Sequence, residues 1–247
     1  MDSVVTFFWI TIIFTFLKTL WDFKSINSFK YTSIILFLFS IIFFIYLFVT
    51  NLAFTESEFV CGNRNTNVAF YHTVFPFSFI YALGVIFLTI FPGWSRSFSN
   101  TFGLTLANMR GLGNTIKKWL GNKSNANNNK DFKIMIERIY SDPTVIINEL
   151  DTDDIIIKED GSIQWEQFKK LSEQIGINSV SPEIIKELIG YINIKNTVGQ
   201  YIWILLLSLV TILVSRNSLL TESCYNTSRK SYDAKYEEYI KSKLGNK

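Results

Sequence analysis

Long uncharged runs dominate the hydrophobic pattern of this chain. Residues 31–54 contain no charge, proline or glycine. As an α-helix they would extend roughly 36 Å, more than a hydrocarbon core of about 30 Å. The run is apolar on every side, whereas a helix in a soluble core carries a polar stripe. Residues 73–92 are also uncharged but include Pro76 and Gly84, and residues 197–220 form a further apolar run with Arg216 near its end. The pattern predicts a mainly α-helical, polytopic membrane protein.

The N-terminal segment, residues 1–30, holds a shorter apolar run at positions 4–17. This run crosses a bilayer only if the helix continues to residue 21 and Lys18 extends its ammonium group to the interface. An interfacial or packed helix is the alternative. Asp2 and the lack of a small-residue cleavage motif argue against a removed signal peptide. The sequence therefore predicts three to four transmembrane helices.

Charge asymmetry predicts the topology. The link that ends segment 1–30 carries three lysines against one acid, and residues 93–130 are basic and contain no acid. The positive-inside rule places both on the cytoplasmic side and loop 55–72 on the opposite side. By parity, helix 197–220 then exits to the non-cytoplasmic side, where the tail 221–247 lies. The six basic residues and four acids of the tail oppose this assignment.

The polar region between the spans divides in two. Residues 93–130 are predicted to be a basic interfacial segment and an Asn-rich linker, with Trp94 and Trp119 at headgroup depth. The alternative is a loop packed against the protein itself. Residues 131–196 are predicted to be a small, mostly helical soluble domain on the cytoplasmic side, and Asp160-Gly161 predicts a hairpin within it. At ~60 residues, this domain is small enough to depend on packing against a partner.

The chain has two cysteines, Cys61 and Cys224, which the predicted topology places on the same non-cytoplasmic face. We expect them to form a disulfide, for which the chain-entropy estimate is about 4 to 5 kcal/mol. Unpaired thiols and a bridge to another chain are the alternatives. Asn226 begins a glycosylation sequon on the same face and is a candidate modification site.

Few residues suit catalysis or cofactor binding. The chain has one histidine, His72, which is predicted to be structural at the membrane edge. Residues 156–167 resemble part of a calcium loop but fail at three ligand positions, since Ile156 and Lys158 carry no side-chain oxygen and Gln167 replaces the bidentate glutamate. No nucleotide-binding or nucleophile-elbow motif occurs, and a net charge of +3 is too small to indicate nucleic acid. The sequence predicts a non-enzymatic protein without a metal or cofactor.

Residues 91–103 read FPGWSRSFSNTFG. This stretch resembles a segment that follows a helix in membrane proteins of nucleocytoplasmic large DNA viruses, which lie in the bilayer beneath an icosahedral capsid. The resemblance covers about 13 of the 247 residues, with Trp94, Phe98, Asn100, Phe102 and Gly103 as matching positions. It supplies no catalytic positions. It implies a virion membrane protein whose residues 94–197 meet the capsid.

These inferences predict a structural protein of a viral internal membrane derived from host endomembranes. Its expected partners are the lipid bilayer, capsid or other virion proteins, and copies of itself. The alternatives are a cellular endomembrane adaptor for assembly or trafficking, and a membrane enzyme or channel subunit completed by a partner. The residues predicted to contact a partner or the membrane are Trp94, Arg96, Phe98, Asn100, Phe102, Lys117, Lys118 and Trp119.

Overall fold

The fold is almost entirely helical. Helices account for 84% of the residues that the structure, a computed structural model, describes. These are residues 3–24, 31–57, 60–121, 134, 137–139, 141–142, 144–148, 150, 152, 155–158, 162–175, 177, 180–221, 233–239 and 241. The predicted disulfide partner Cys224, the sequon at Asn226 and the Asp160-Gly161 turn lie outside the described residues. The bridge, the modification and the turn therefore stay predictions.

The described elements are mostly helices, with two π-helical turns and two short strands. In order they are α1 (Ser3–Lys24), α2 (Thr32–Thr55), α3 (Thr66–Pro76), π1 (Phe77–Ala82), α4 (Leu83–Ile90), α5 (Gly93–Phe98), π2 (Ser99–Gly103), α6 (Leu104–Met109), α7 (Leu112–Leu120), α8 (Thr144–Ile147), β1 (Ile155–Ile157), β2 (Ile163–Trp165), α9 (Glu166–Gln174) and α10 (Pro182–Leu220). The two strands pair antiparallel, with Ile155 opposite Trp165, so the predicted hairpin is present.

Four helices are long and apolar enough to cross a membrane, namely Val4–Lys24, Thr32–Thr55, Thr66–Ile90 and Pro182–Leu220. This confirms the predicted mainly α-helical, polytopic membrane protein. The first helix has 21 residues, which is long enough to span a membrane. Of the two predicted alternatives, a spanning helix and an interfacial or packed helix, this length fits the spanning helix. The third begins seven residues before the predicted start at 73. The last has 39 residues and passes without a break through the predicted boundary at 196–197.

Contacts divide the chain into two compact units. Unit 1 comprises residues 1–9, 33–90 and 204–247. Its core is aromatic: Phe43 is fully buried, and its ring centroid lies 4.8 Å from that of Phe7 and 4.7 Å from that of Tyr81. Its outer surface is also apolar, with Phe37 and Phe79 each 65% exposed. An apolar outer surface around an apolar core suits a helix bundle in lipid.

Unit 2 comprises residues 10–32 and 91–203. Its core lies among α7, the hairpin, α9 and the N-terminal part of α10. The Phe168 ring lies between two indoles, 4.9 Å from Trp119 and 5.0 Å from Trp165 by ring centroids. Leu188, Ile189, Ile192, Leu112 and Ile116 are at most 1% exposed. This cluster forms the hydrophobic core of the predicted soluble domain, together with α7 from the segment that precedes it.

Candidate functional site

The segment that carries the family resemblance packs directly on α10. A methyl group on Gly103 would lie 2.3 Å from the carbonyl oxygen of Lys195, so the two backbones touch. One turn away the glycine belongs to α10 and the neighbouring residue to the segment. A methyl group on Gly199 would lie 2.0 Å from Ser99 Oγ and 2.7 Å from Ser99 N. Small residues four apart allow helices to approach closely, as they do in membrane proteins. We call this contact the glycine crossing.

Aromatic residues extend the contact between this segment and α10 toward the N-terminal end of α5. The indole nitrogen of Trp203 donates a hydrogen bond to the carbonyl oxygen of Trp94 at 2.8 Å. The Phe98 ring meets the Trp203 ring edge to face, with 5.2 Å between centroids. These contacts and the glycine crossing bind α5 and π2 to α10 along about two helical turns.

Three large apolar side chains of this segment are exposed, among exposed polar residues that include Ser97, Thr101 and Thr105. Trp94 is 53% exposed, Phe102 60% and Met109 80%. Single exposed apolar residues are ordinary, but three bulky ones on one segment indicate a surface that contacts lipid or another protein. Sequence reasoning found Trp94 and Phe102 but missed Met109, because only the packing of α6 shows which side faces outward.

Five of the eight predicted interface residues are exposed: Trp94, Arg96, Phe102, Lys117 and Lys118. The other three are partly or fully buried. Phe98 packs on Trp203, and Asn100 Oδ1 is buried without a hydrogen-bond partner among the described residues. Trp119 is 4% exposed, so its side chain contacts the protein core and does not face lipid, while its predicted depth in the membrane stays a prediction. The apolar side of α7 packs into the core of unit 2 instead of facing lipid.

A buried charge cluster in unit 2 was not predicted. The ammonium group of Lys18 binds the carboxylate of Asp22 one turn along α1, and both side chains are nearly inaccessible. Thr197 Oγ1 donates to the other carboxylate oxygen at 2.5 Å. Extension of Lys18 to the interface was the expected condition for this helix to span, whereas the structure pairs the ammonium group with Asp22 inside the protein. Lysine and aspartate four residues apart on a helix were the available sequence signal.

Next to this cluster lies a polar cavity of about 200 Å³. It is lined by Asp22, Thr32, Thr152, Asn193, Asn196, Thr197 and Gln200. Asn193 is 5% exposed, and its Nδ2 has no hydrogen-bond partner among the described residues. Because its lining offers hydroxyl and carboxamide groups, this cavity suits water or a small polar molecule better than an apolar one.

A second polar centre connects three helices inside unit 1. Asn51 is fully buried in the apolar helix α2, and its Nδ2 donates to Thr73 Oγ1 at 2.8 Å and to Ser215 Oγ at 2.7 Å. Nearby, His72 Nδ1 lies 2.8 Å from Ser218 Oγ. Such hydrogen bonds hold membrane helices together. These contacts support the predicted structural role of the histidine.

The hairpin end of unit 2 carries a perturbed carboxylate. Gln164 Nε2 donates to Glu166 Oε1 at 2.9 Å. This hydrogen bond and the positive charge of Lys169 lower the pKa of Glu166 below its ordinary value. Both effects stabilise the ionised form. Among the described residues, no group of three or more potential ligands is placed to hold a metal ion.

No protein-family model, curated protein or solved structure matches this chain. The class of protein is defined by the structure alone. It is an integral, mainly α-helical membrane protein with a small folded unit that includes α7, the hairpin and α9. The resemblance of residues 91–103 to viral membrane proteins stays a prediction.

Proposed function

We propose that this chain is a structural protein of a viral internal membrane. Its apolar helices anchor it in that membrane, and a surface on unit 2 docks onto shell components. The continuity of α10 carries this proposal. Its N-terminal part supplies Leu188, Ile189 and Ile192 to the core of unit 2, and its C-terminal part is the apolar run of the last span. At 39 residues it extends roughly 58 Å, about twice the thickness of a hydrocarbon core.

The contacts of residues 91–103 support the viral assignment. Two of the positions that match the viral segment, Phe98 and Gly103, contact α10, and Ser99 between them lies against Gly199. Two others, Trp94 and Phe102, face outward. A segment held this closely against α10 can orient the docking surface of unit 2, as the resemblance implies.

The charges of α7 support a docking surface outside the bilayer. Lys117 and Lys118 are exposed in its last turn, and Lys118 Nζ lies 3.9 Å from a carboxylate oxygen of Glu187 on α10. An exposed ion pair at this distance contributes little to stability. Both lysines can therefore pair with acidic groups of a partner at low cost.

Particle composition tests the proposal. We expect purified virus particles to contain the protein in a fixed ratio to the shell proteins, and a mild detergent that dissolves the internal membrane to release it only with shell fragments. The variant K117E/K118E should enter particles less efficiently, whereas the charge reversal K235E in the exposed tail should enter normally. Absence from particles, with the protein retained in host endomembranes, would favour a cellular assembly or trafficking adaptor instead.

A further inference from the structure

The exposed apolar residues of α5 to α6 lie on one face because of π2. Trp94 and Phe102 are eight residues apart, which is not a whole number of α-helical turns. The π-helical turn Ser99–Gly103 takes up one additional residue, since its bonds join residues five apart. The remaining seven positions equal about two turns, and Met109 follows Phe102 by seven more. We call Trp94, Phe102 and Met109 the outer face.

The segment that carries the outer face is basic. Residues 91–120 contain four basic residues and no aspartate or glutamate. Arg96, Lys117 and Lys118 are exposed. Each lysine or arginine near a membrane surface contributes attraction to anionic lipid headgroups, and aromatic side chains prefer the same interfacial depth.

The chain itself keeps this segment close to the bilayer. The candidate span ends at Ile90, and Trp94 follows four residues later. Even if it were fully extended, the link would carry Trp94 no more than about 14 Å from the end of the span. Phe91 stacks on Trp94 with 6.0 Å between ring centroids, so the aromatic surface begins directly at the end of the span.

We propose that the outer face is a membrane-binding surface, on which Trp94, Phe102 and Met109 enter the headgroup region of an anionic lipid leaflet. The exposed guanidinium group of Arg96 on α5 then faces the phosphate and carboxylate groups of the lipids. The short link after Ile90 keeps the outer face within reach of lipid, so a second copy of the chain or another protein would have to displace lipid to bind there. This proposal goes beyond the proposed function, because it holds for any membrane in which the chain is anchored.

Site-specific photo-crosslinking in reconstituted membranes tests the proposal. The full chain would carry benzoylphenylalanine in place of Phe102 or Met109, in vesicles of phosphatidylcholine with or without phosphatidylserine. Benzoylphenylalanine in place of Lys169, exposed on the polar helix α9, is the control. Adducts are identified by mass spectrometry, and thermal unfolding checks that each variant is folded.

We expect phospholipid adducts at both outer-face positions and few at the control position. The adduct yield should fall several-fold without phosphatidylserine, and also in the background R96Q. Cross-links to a second copy, equal yields at all three positions, or yields independent of lipid charge would each overturn the proposal. None of these results depends on whether the protein enters virus particles, so the two proposals fail separately.

Discussion

The glycine crossing makes a quantitative prediction about stability. In the variant G103A the new methyl group would meet the Lys195 carbonyl oxygen at 2.3 Å, whereas ordinary contacts begin at 3.4 Å. The segment and α10 would have to separate by the difference, 3.4 − 2.3 = 1.1 Å. A side-chain rotation cannot relieve this contact, because the opposing atom belongs to the backbone.

The expected loss in the free energy of unfolding is the difference between two opposing effects. Overpacking of a close contact costs about 1–3 kcal/mol, and we take the upper end because backbone atoms clash. Alanine gains about 1 kcal/mol over glycine in helix propensity. The net loss is about 2 kcal/mol, which corresponds to a fall in Tm of about 4–8 °C for a chain of this size.

Gly113 in α7 provides the matched control, because a methyl group there would meet no atom within 4 Å. The variant G113A should unfold at or above the temperature of the unsubstituted protein. The assay is the apparent Tm in one detergent at one scan rate, followed by tryptophan fluorescence. Equal Tm values for the two alanine variants would refute the close backbone contact.

Three further predictions concern the polar groups. The variant D22N leaves the buried Lys18 ammonium without its counter-charge and should lose about 3–5 kcal/mol in the free energy of unfolding, whereas the apolar pair K18M/D22L should recover most of it. Replacement of Asn51 by leucine removes two interhelical hydrogen bonds and should cost about 1–2 kcal/mol in thermal unfolding in lipid. The variant Q164A should raise the pKa of Glu166 toward its ordinary value, as measured by NMR titration. Because the folded-state pKa is lowered, the stabilisation from this hydrogen bond is present above the ordinary glutamate pKa and is lost as pH falls through the folded-state value.

The membrane helices could be predicted from hydropathy, but their ends could not. Residues 66–72 look polar because they include Asn67 and His72, so the third helix was predicted to start at 73. Asn65 caps this helix, accepting a hydrogen bond from the Val68 backbone N–H at 3.2 Å. The capping residue outweighs the composition of the first turns, and an asparagine before an apolar run was the available signal.

The continuity of α10 was missed for a different reason. Asn193, Lys195 and Asn196 interrupt its apolar pattern and suggested a domain boundary. In the structure Lys195 is 5% exposed, and its Nζ donates to Asn148 Oδ1 at 2.9 Å. A tertiary hydrogen bond makes this lysine compatible with a buried helix, and hydropathy cannot show such a partner.

Trp119 shows the limit of sequence reasoning at the candidate site. The apolar residues of α7 recur at helical spacing beside two lysines, a pattern typical of an interfacial helix. The same pattern serves a helix packed on a protein core, and the contact with Phe168 shows that α7 is of this second kind. Periodicity identifies the apolar face of a helix but not the surface that covers it.

Lysine cross-linking in intact, purified virus particles tests the central claim most directly. We expect cross-links from Lys117, Lys118 and Lys169, all exposed on unit 2, to shell proteins. Lys235, exposed in the tail that the predicted topology places on the opposite side of the membrane, should give none. Cross-links to the shell from Lys235 alone, or no shell cross-links from any of these lysines while the protein is present in the particles, would contradict the account.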